Sequence, residues 1–505
     1  MSEHFGSNKL PGIESNHRQR IISKFKDEIL SYPELSVGFS LFWIWLWIVF
    51  QNDLLTSTLH FESPYIPPWT VPLLAYAFGF FVLGGLFRQK RIVPHGKIYL
   101  FAIVFCMTAG ALILTVFGVW EHEETTLLRL VSLICGFLMG LGTAGLHVEW
   151  GRVFGSRGVH AIIIHGIAGT LGAAILYSLL QLLPPLMTCI WAICIPSLCM
   201  LSLQKTLRAN PRLHKYGAKA TLYIPWKFIV TSLIHGVSFG AMWTVLMYVQ
   251  HEGSFMTINA LSFAVSAIAV FVSALLFRMN FNHLIYHVAF PIMALSYAML
   301  AILGGSVIVG STLNSIGVHF LSLLLWTLCV YLIKNQGISA NWVFTWTTGS
   351  YILGQALGAL LGTFSLVYSD SQPDGLFILA IIMVFIILAS ALFMVNNNNL
   401  KEGWGLVKPG EDETKVDGLE LACDLISKEY SLTARERDIL SLLARGRNRT
   451  FISQELIIAE NTIKTHIRNI YQKTNVHSQQ ELMSLVDKKV KLFTGEDANV
   501  PTTAF

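Results

Sequence analysis

The strongest constraint on this chain is a series of twelve apolar stretches, each long enough to cross a lipid bilayer. Lipid offers no hydrogen-bond partners to an open backbone, so these stretches are predicted to be membrane-spanning helices. Charged residues make up only 13% of the chain, about half the share usual in soluble proteins, which excludes a disordered or collagen-like protein. We place the stretches at 35–51, 68–87, 98–120, 127–148, 159–180, 186–203, 228–249, 255–277, 284–304, 307–333, 342–367 and 376–395.

The distribution of Lys and Arg predicts how these helices are oriented. The segments placed inside the cell carry nineteen Lys and Arg, whereas the outside loops carry none apart from Arg129 at the outer start of the fourth stretch. The polar segment 1–34 is not a cleavable signal pattern, so the first stretch is expected to remain as an anchor. We therefore predict a multi-pass protein of the cytoplasmic membrane with both termini in the cytoplasm.

Six stretches, a basic segment at 204–227 and six further stretches form a plan that resembles the major facilitator superfamily. The resemblance implies a membrane domain over 35–396 made of two related six-helix halves. Its transporter signature after the second stretch lacks the acidic residue and the second glycine, which argues against coupled transport. Glycines recur in the fifth and eleventh stretches, either as a trace of the repeat or as general small-residue packing: Gly166, Gly169 and Gly172, then Gly354, Gly358 and Gly362.

Ionisable residues inside the predicted spans are few, and they are the first candidates for function in a membrane. They are Arg129, His147, Glu149, His165, His235 and His319. An ion pair between Glu149 and Arg152 is favoured over a ligand contact because the two lie three residues apart. The histidines are expected to be packing residues rather than sensors. The seven cysteines form no disulfide framework or metal motif, and no metal or cofactor is predicted.

Tryptophans are numerous in the apolar stretches. Most are explained by packing or by the membrane-interface belt. A second interpretation is an aromatic pocket between the two halves for a small, largely apolar or aromatic ligand. The candidates for this pocket are Trp43, Trp47, Trp243 and Trp346.

The last hundred residues have a different composition, which predicts a separate domain in water. Residues 397–424 are polar and are predicted to be a flexible linker with a reach of roughly 30 Å. Helical spacing follows: Thr433 and Glu436 form a capping-box pair, and a later helix runs from about 460 to 473. Asn475 suits the left-handed position after that helix, and a fourth helix is expected after Ser478.

This region closely resembles the LuxR-type (GerE-like) helix-turn-helix. The matching residues are Leu432, Thr433, Arg435, Glu436, Arg437, Ala444, Gly446, Ile452, Leu456, Thr462, Ile463, Lys464, Thr465, His466, Ile467, Ile470, Tyr471 and Lys473. The resemblance implies a four-helix DNA-binding domain over 425–490, followed by a tail at 491–505. The domain has a net charge of +4, which suits promoter DNA as its partner. Ala459 stands where the family usually has a serine that caps the recognition helix.

The resemblance also implies site residues. Base contacts are assigned to Lys464, Thr465 and Arg468, since Lys and Arg on a helix in the major groove favour guanine. Pairing of two such domains through the fourth helix implies a homodimer on DNA with Gln479, Leu482 and Met483 at its interface. The phosphate contacts are assigned to Thr462, His466, Asn469, Lys473 and Arg449.

These patterns favour a membrane-bound transcription regulator, a one-component sensor in which a small molecule bound by the membrane domain controls promoter binding. The alternative is a transporter whose appended tail regulates its own expression. The chain has no nucleophile, metal or phosphate-loop pattern, so it is not predicted to be an enzyme.

Overall fold

The computed structural model describes residues 23, 25–50, 69–88, 96–120, 126–209, 224–249, 254–276, 280–302, 307–336, 338–371, 374–394, 412–456 and 458–494. The chain forms two compact units, Met1–Pro409 and Gly410–Phe505. Each unit has its own apolar core. All regular secondary structure in the described ranges is helical, as the apolar runs and the helical spacing predict.

The first unit contains a helix at each of the twelve predicted stretches. They are α1 (Pro33–Phe50), α2 (Thr70–Arg88), α3 (Lys97–Trp120), α4 (Thr126–Arg157), α5 (Val159–Leu180), α6 (Pro185–Ala209), α7 (Trp226–Val249), α8 (Ser254–Val270, continued by the π-helical turn Phe271–Leu276), α9 (Phe281–His283, the π-helical turn Leu284–Ala289, then Phe290–Ile302), α10 (Val307–Gln336), α11 (Ala340–Ser371) and α12 (Gly375–Met394). Within the described ranges, eleven helices are long and apolar enough to cross a membrane, and α8 contributes the shorter apolar helix Ile258–Ser273.

Helix α4 is nine residues longer at its carboxyl end than its predicted stretch, because the charges there are paired inside the bundle. Arg152 donates to Glu149, as the three-residue spacing predicts. Its Nε also donates to Asn341 Oδ1 of α11 at 2.6 Å, and its guanidinium lies 4.2 Å above the Phe87 ring. With these partners the helix continues past the end of its apolar run, to Arg157.

Helices α7 and α11 make the most extensive interhelical contact of this unit. Glycines on both helices allow it: an added Cβ at Gly236 would lie 2.0 Å from the Tyr351 carbonyl oxygen, and one at Gly358 would lie 2.2 Å from that of Val237. Small residues four apart let helix backbones touch in this way. The α7 glycines complement the eleventh-stretch glycines that the sequence singles out.

Two of the three glycines of α5, Gly169 and Gly172, face α1, whereas Gly166 lies nearest Leu323 of α10. A Cβ at Gly172 would lie 2.6 Å from Ser40 Oγ, and that hydroxyl donates to the Gly169 carbonyl oxygen at 2.9 Å. The first and fifth helices of one half thus pack as do the first and fifth of the other, α7 and α11. This placement is in keeping with two related halves.

The second unit contains α13 (Asp412–Glu429), α14 (Ala434–Ala444), α15 (Arg449–Leu456), α16 (Glu460–Thr474) and α17 (Gln479–Thr494). The last four are the helices predicted from the sequence. Helix α13 corrects the linker prediction, which extended to residue 424. Ala422, Cys423 and Ile426 are fully buried in the core, because together with Leu419 they form one apolar face at helical spacing. The first part of the predicted linker, 397–411, lies outside the described residues.

Candidate functional site

Helix ends position α16, the predicted recognition helix. The predicted capping box is present in α14: Glu436 N donates to Thr433 Oγ1 at 3.2 Å, and Thr433 N donates to Glu436 Oε2 at 2.8 Å. Gly446, with φ +74°, turns the chain after α14, and Asn475 takes the left-handed conformation after α16 as predicted. Ala459 occupies the amino-terminal cap of α16 and provides no capping hydrogen bond.

Helix α16 is strongly amphipathic. Ile463, Ile467 and Ile470 are buried in the core of the unit. Lys464, Thr465 and Arg468 are exposed on the opposite face. These three side chains line one surface groove together with Arg449, at the start of α15. The groove can therefore present three cations and the Thr465 hydroxyl to an anionic partner.

The other phosphate candidates have different surroundings. Thr462 is exposed, whereas His466 and Asn469 are half-buried. Lys473 Nζ donates to Glu436 Oε2 at 2.7 Å and to the Ser431 carbonyl oxygen at 3.2 Å. This lysine joins α16 to α14, and a phosphate would have to compete with a buried carboxylate for it.

The dimer candidates on α17 also differ from one another. Leu482 is fully buried in the core, and Gln479 Nε2 donates to the carbonyl oxygens of Leu443 and Arg447 at 3.0 and 3.1 Å. These two side chains stabilise the unit itself, and Met483 is half-buried. The outer surface of α17 is formed by Gln480, Glu481, Ser484 and Lys488, which are exposed.

The membrane unit contains a central cavity of about 70 Å³. Its lining comes from α1, α2 and α4 of the first half and from α7, α10 and α11 of the second. Trp43 is part of this lining, as the pocket hypothesis expects. The other three candidates are not: Trp47 packs on Tyr177 and Phe263, Trp243 stacks on Phe239, and Trp346 contacts Phe81 and Trp342.

Three buried histidines line the same cavity: His147, His235 and His319. Each ring stacks on an aromatic neighbour, with centroids 4.5 Å apart for His147 and Trp326, 4.4 Å for His235 and Tyr351, and 3.5 Å for His319 and Phe263. Sequence reasoning assigned these histidines to packing, because nothing in a single helix reveals that three helices bring them to one cavity. His165 lies elsewhere, 2.8 Å from Ser36 Oγ through its Nδ1.

Residues 430–486 match the family described as "Bacterial regulatory proteins, luxR family". The HTH-type transcriptional regulator MalT of Vibrio campbellii is 43% identical over 61 residues, 12% of this chain and 7% of that protein. The monoamine regulon transcriptional regulator of Klebsiella aerogenes is 43% identical over 53 residues, 10% of this chain and 23% of that protein. The uncharacterized response regulatory protein YgeK of Escherichia coli is 39% identical over 74 residues, 14% of this chain and 50% of that protein.

The chain thus spans half or less of the length of these relatives, and the similarity concerns the second unit. Two solved transporters resemble the first unit in fold. One is a bacterial homologue of the iron transporter ferroportin in an outward-facing state, with a TM-score of 0.53 and 13% identity over 72% of this chain and 98% of that one. The other is an auto-inhibited peptide transporter of the POT family, with a TM-score of 0.50 and 10% identity over 76% of this chain and 98% of that one. Residues 430–486 are a LuxR-type DNA-binding helix-turn-helix domain, carried on one chain with a transporter-like membrane unit.

Proposed function

We propose that this protein is a one-component transcription regulator of the cytoplasmic membrane, in which a small molecule bound by the membrane unit controls promoter binding by the LuxR-type domain. The observation that carries the proposal is the exposed face of Lys464, Thr465 and Arg468 on a chain that also encloses a cavity between two six-helix halves. We propose no enzymatic activity, since the proteins that the chain resembles are transcription regulators and transporters.

The chemistry of the cavity favours sensing over coupled transport. Among the described residues that line it, none is Asp, Glu, Lys or Arg. Proton- or ion-coupled transporters place such groups along the transport route. The alternative function, a transporter with an autoregulatory tail, is favoured by the fold that the first unit shares with solved transporters. Uptake of a labelled ligand into sealed vesicles distinguishes the two, because a sensor binds the ligand without accumulating it.

DNA binding requires that the carboxyl end lie in the cytoplasm, which is the orientation that the loop charges predict. A reporter enzyme active only outside the cytoplasm, fused after Phe505, should give no signal, whereas one active only in the cytoplasm should give full signal. Activity of the external reporter would contradict the regulator proposal as a whole.

The route from ligand to DNA is proposed to be a change in how two tails pair. A homodimer on DNA needs a second copy of the domain, and two membrane units set how often two tails meet. An insertion of about 30 Gly and Ser residues between Lys408 and Pro409, which lie outside the described residues, lengthens the linker's reach. It should blunt the ligand response of a target promoter and leave basal DNA binding almost unchanged. A full ligand response in this variant would contradict geometric transmission.

A further inference from the structure

We propose that the central cavity binds a small uncharged molecule with both a hydrogen-bond donor and an acceptor, held by the ring nitrogens of His147, His235 and His319 and by Trp43 Nε1. The inference deepens the sensor proposal by naming the ligand class. It depends on that proposal only for the step from binding to DNA. Binding itself is testable without any promoter.

The first argument is electrostatic. The lining contains aromatic rings, hydroxyls, an amide and histidines, and over the part of the chain that the structure describes it includes no Asp, Glu, Lys or Arg. An ionic ligand in such a cavity would lose its hydration without gaining an opposite charge, which is costly. The cavity therefore selects for uncharged molecules.

The second argument is that polar atoms on the lining residues have no protein partner. Within the described part of the chain, Trp43 Nε1, His147 Nε2, His235 Nδ1 and His319 Nε2 make no hydrogen bond. Each of the four residues is more than nine-tenths buried. A buried polar atom without a partner costs about 1–3 kcal/mol, and the four residues share one cavity lining, so an occupant that bonds to these atoms would recover that cost.

The third argument concerns which atoms donate and which accept. His235 Nε2 donates to the Val318 carbonyl oxygen at 2.9 Å, so Nδ1 of the neutral ring is an acceptor. Trp43 Nε1 can only donate. His147 Nδ1 is bonded to the Tyr76 hydroxyl at 2.5 Å, which leaves its Nε2 as a donor or an acceptor according to the tautomer. A hydroxyl group, which donates and accepts, matches this set better than an ether or a hydrocarbon.

A metal ion does not explain the histidines. Over the residues that the structure describes, no three His, Cys, Asp or Glu side chains are grouped so that they could hold one. The position of the cavity adds a further condition. The lining residues belong to both halves, so a ligand that contacts them on each side can shift the packing of the halves by binding one arrangement more tightly than another.

The test uses the full-length protein in lipid nanodiscs, with phenol and toluene as probes. The two probes have nearly the same shape, but only phenol has a hydroxyl. Ligand-observed NMR, with empty nanodiscs subtracted, should show saturable phenol binding and a clear preference for phenol over toluene. In Trp43→Phe and His319→Phe, which keep an aromatic ring, that preference should fall about two- to tenfold in each, the range for one hydrogen bond.

His283→Phe is the matched control, because His283 is exposed and is not part of the cavity lining. It should keep the preference of the unsubstituted protein. The ratio of the two affinities is measured in each sample, so partial misfolding of a variant does not imitate the result. Absence of saturable phenol binding, equal affinity for both probes, or a preference that survives both cavity variants would overturn the proposal. Normal binding without any effect on promoter binding would leave the cavity proposal intact and overturn the sensor.

Discussion

The two units of this chain place their polar side chains in opposite ways. In the carboxyl-terminal unit the candidate recognition groups, such as Lys464 and Arg468, stand exposed around an apolar core. In the membrane unit the polar candidates, such as His235 and His319, are enclosed, and many of the exposed side chains are large and apolar. Water solvates charged side chains at a protein surface. Lipid does not, so polar groups of a membrane unit are buried inside it. The site is therefore a surface in one unit and a cavity in the other.

The largest effect is expected where the membrane unit depends on close backbone contact. In Gly240→Ala the new Cβ would lie 2.0 Å from the Gln355 carbonyl oxygen, so α7 and α11 would have to move apart. We expect a loss of about 3 kcal/mol or more, beyond ordinary overpacking, seen as loss of folded protein in detergent on size-exclusion chromatography.

Gly85→Ala is the control, because a Cβ there meets no atom within 4 Å. It should leave the elution profile unchanged or gain about 0.5–1 kcal/mol of stability from the better helix former. Equal behaviour of the two variants would show that the α7–α11 contact does not hold the membrane unit together.

The next effect concerns the exposed face of the other unit. Lys464→Ala and Arg468→Ala should each weaken binding to a specific operator by about 1–3 kcal/mol if the side chain reads a base. Lys428→Ala removes an exposed charge from α13 and should change specific binding little. Fluorescence anisotropy at two salt concentrations measures the operator affinity of all three variants. Unchanged operator affinity in both α16 variants would show that this face does not enter the major groove of the DNA.

A smaller effect tests the partnered charge inside the carboxyl-terminal unit. Burial alone raises the pKa of Glu436, but hydrogen bonds from Lys473 and from the Thr433 amide and hydroxyl hold its pKa below the ordinary value. The native state therefore binds fewer protons than the unfolded one. The stability this carboxylate provides is present above the unfolded pKa, about 4.3, and is lost as the pH falls through the lower native pKa.

Glu436→Gln in a Gly410–Phe505 fragment should cost about 1–2 kcal/mol at pH 7, the value of a helix cap, measured by urea unfolding. The gap to the unsubstituted fragment should close as the pH is lowered past 4. Asp487→Asn changes an exposed carboxylate on α17 and should follow the unsubstituted curve. A gap that stays constant with pH would contradict the role of ionised Glu436.

The smallest expected effect is a gain in the stability of the carboxyl-terminal unit. Ala459 caps α16 without a side-chain hydrogen bond, and its backbone is already extended, with φ −56° and ψ 140°. Ala459→Ser should add an acceptor for an amide of the first turn and stabilise the fragment by about 1 kcal/mol. Ala459→Val, which cannot cap, should give no gain. An equal midpoint for both variants in urea would contradict the capping argument.

Much of this fold follows from sequence patterns, since apolar length predicts the spans and capping residues predict α14, α16 and α17. Helix α13 was missed because the polar residues of 397–424 hide an apolar face that begins only at Leu419. Contacts between helices were beyond reach: the sequence could not reveal that Leu482 is buried in the core or that Gln479 bonds to the end of α14. The cavity histidines could be named, but their shared surroundings depend on how three helices meet.

The glycine contact between α7 and α11 has a mechanical consequence. Where two backbones touch, no layer of side chains lies between them that could rearrange. The two helices are therefore expected to move as one rigid unit. His235 of α7 and Tyr351 of α11 form one stacked pair in the cavity wall. An occupant that widens the cavity would therefore displace α7 and α11 together. The opposing wall includes Trp43 and His147 of the other half, so strain inside the cavity becomes displacement between halves rather than local rearrangement of a loop.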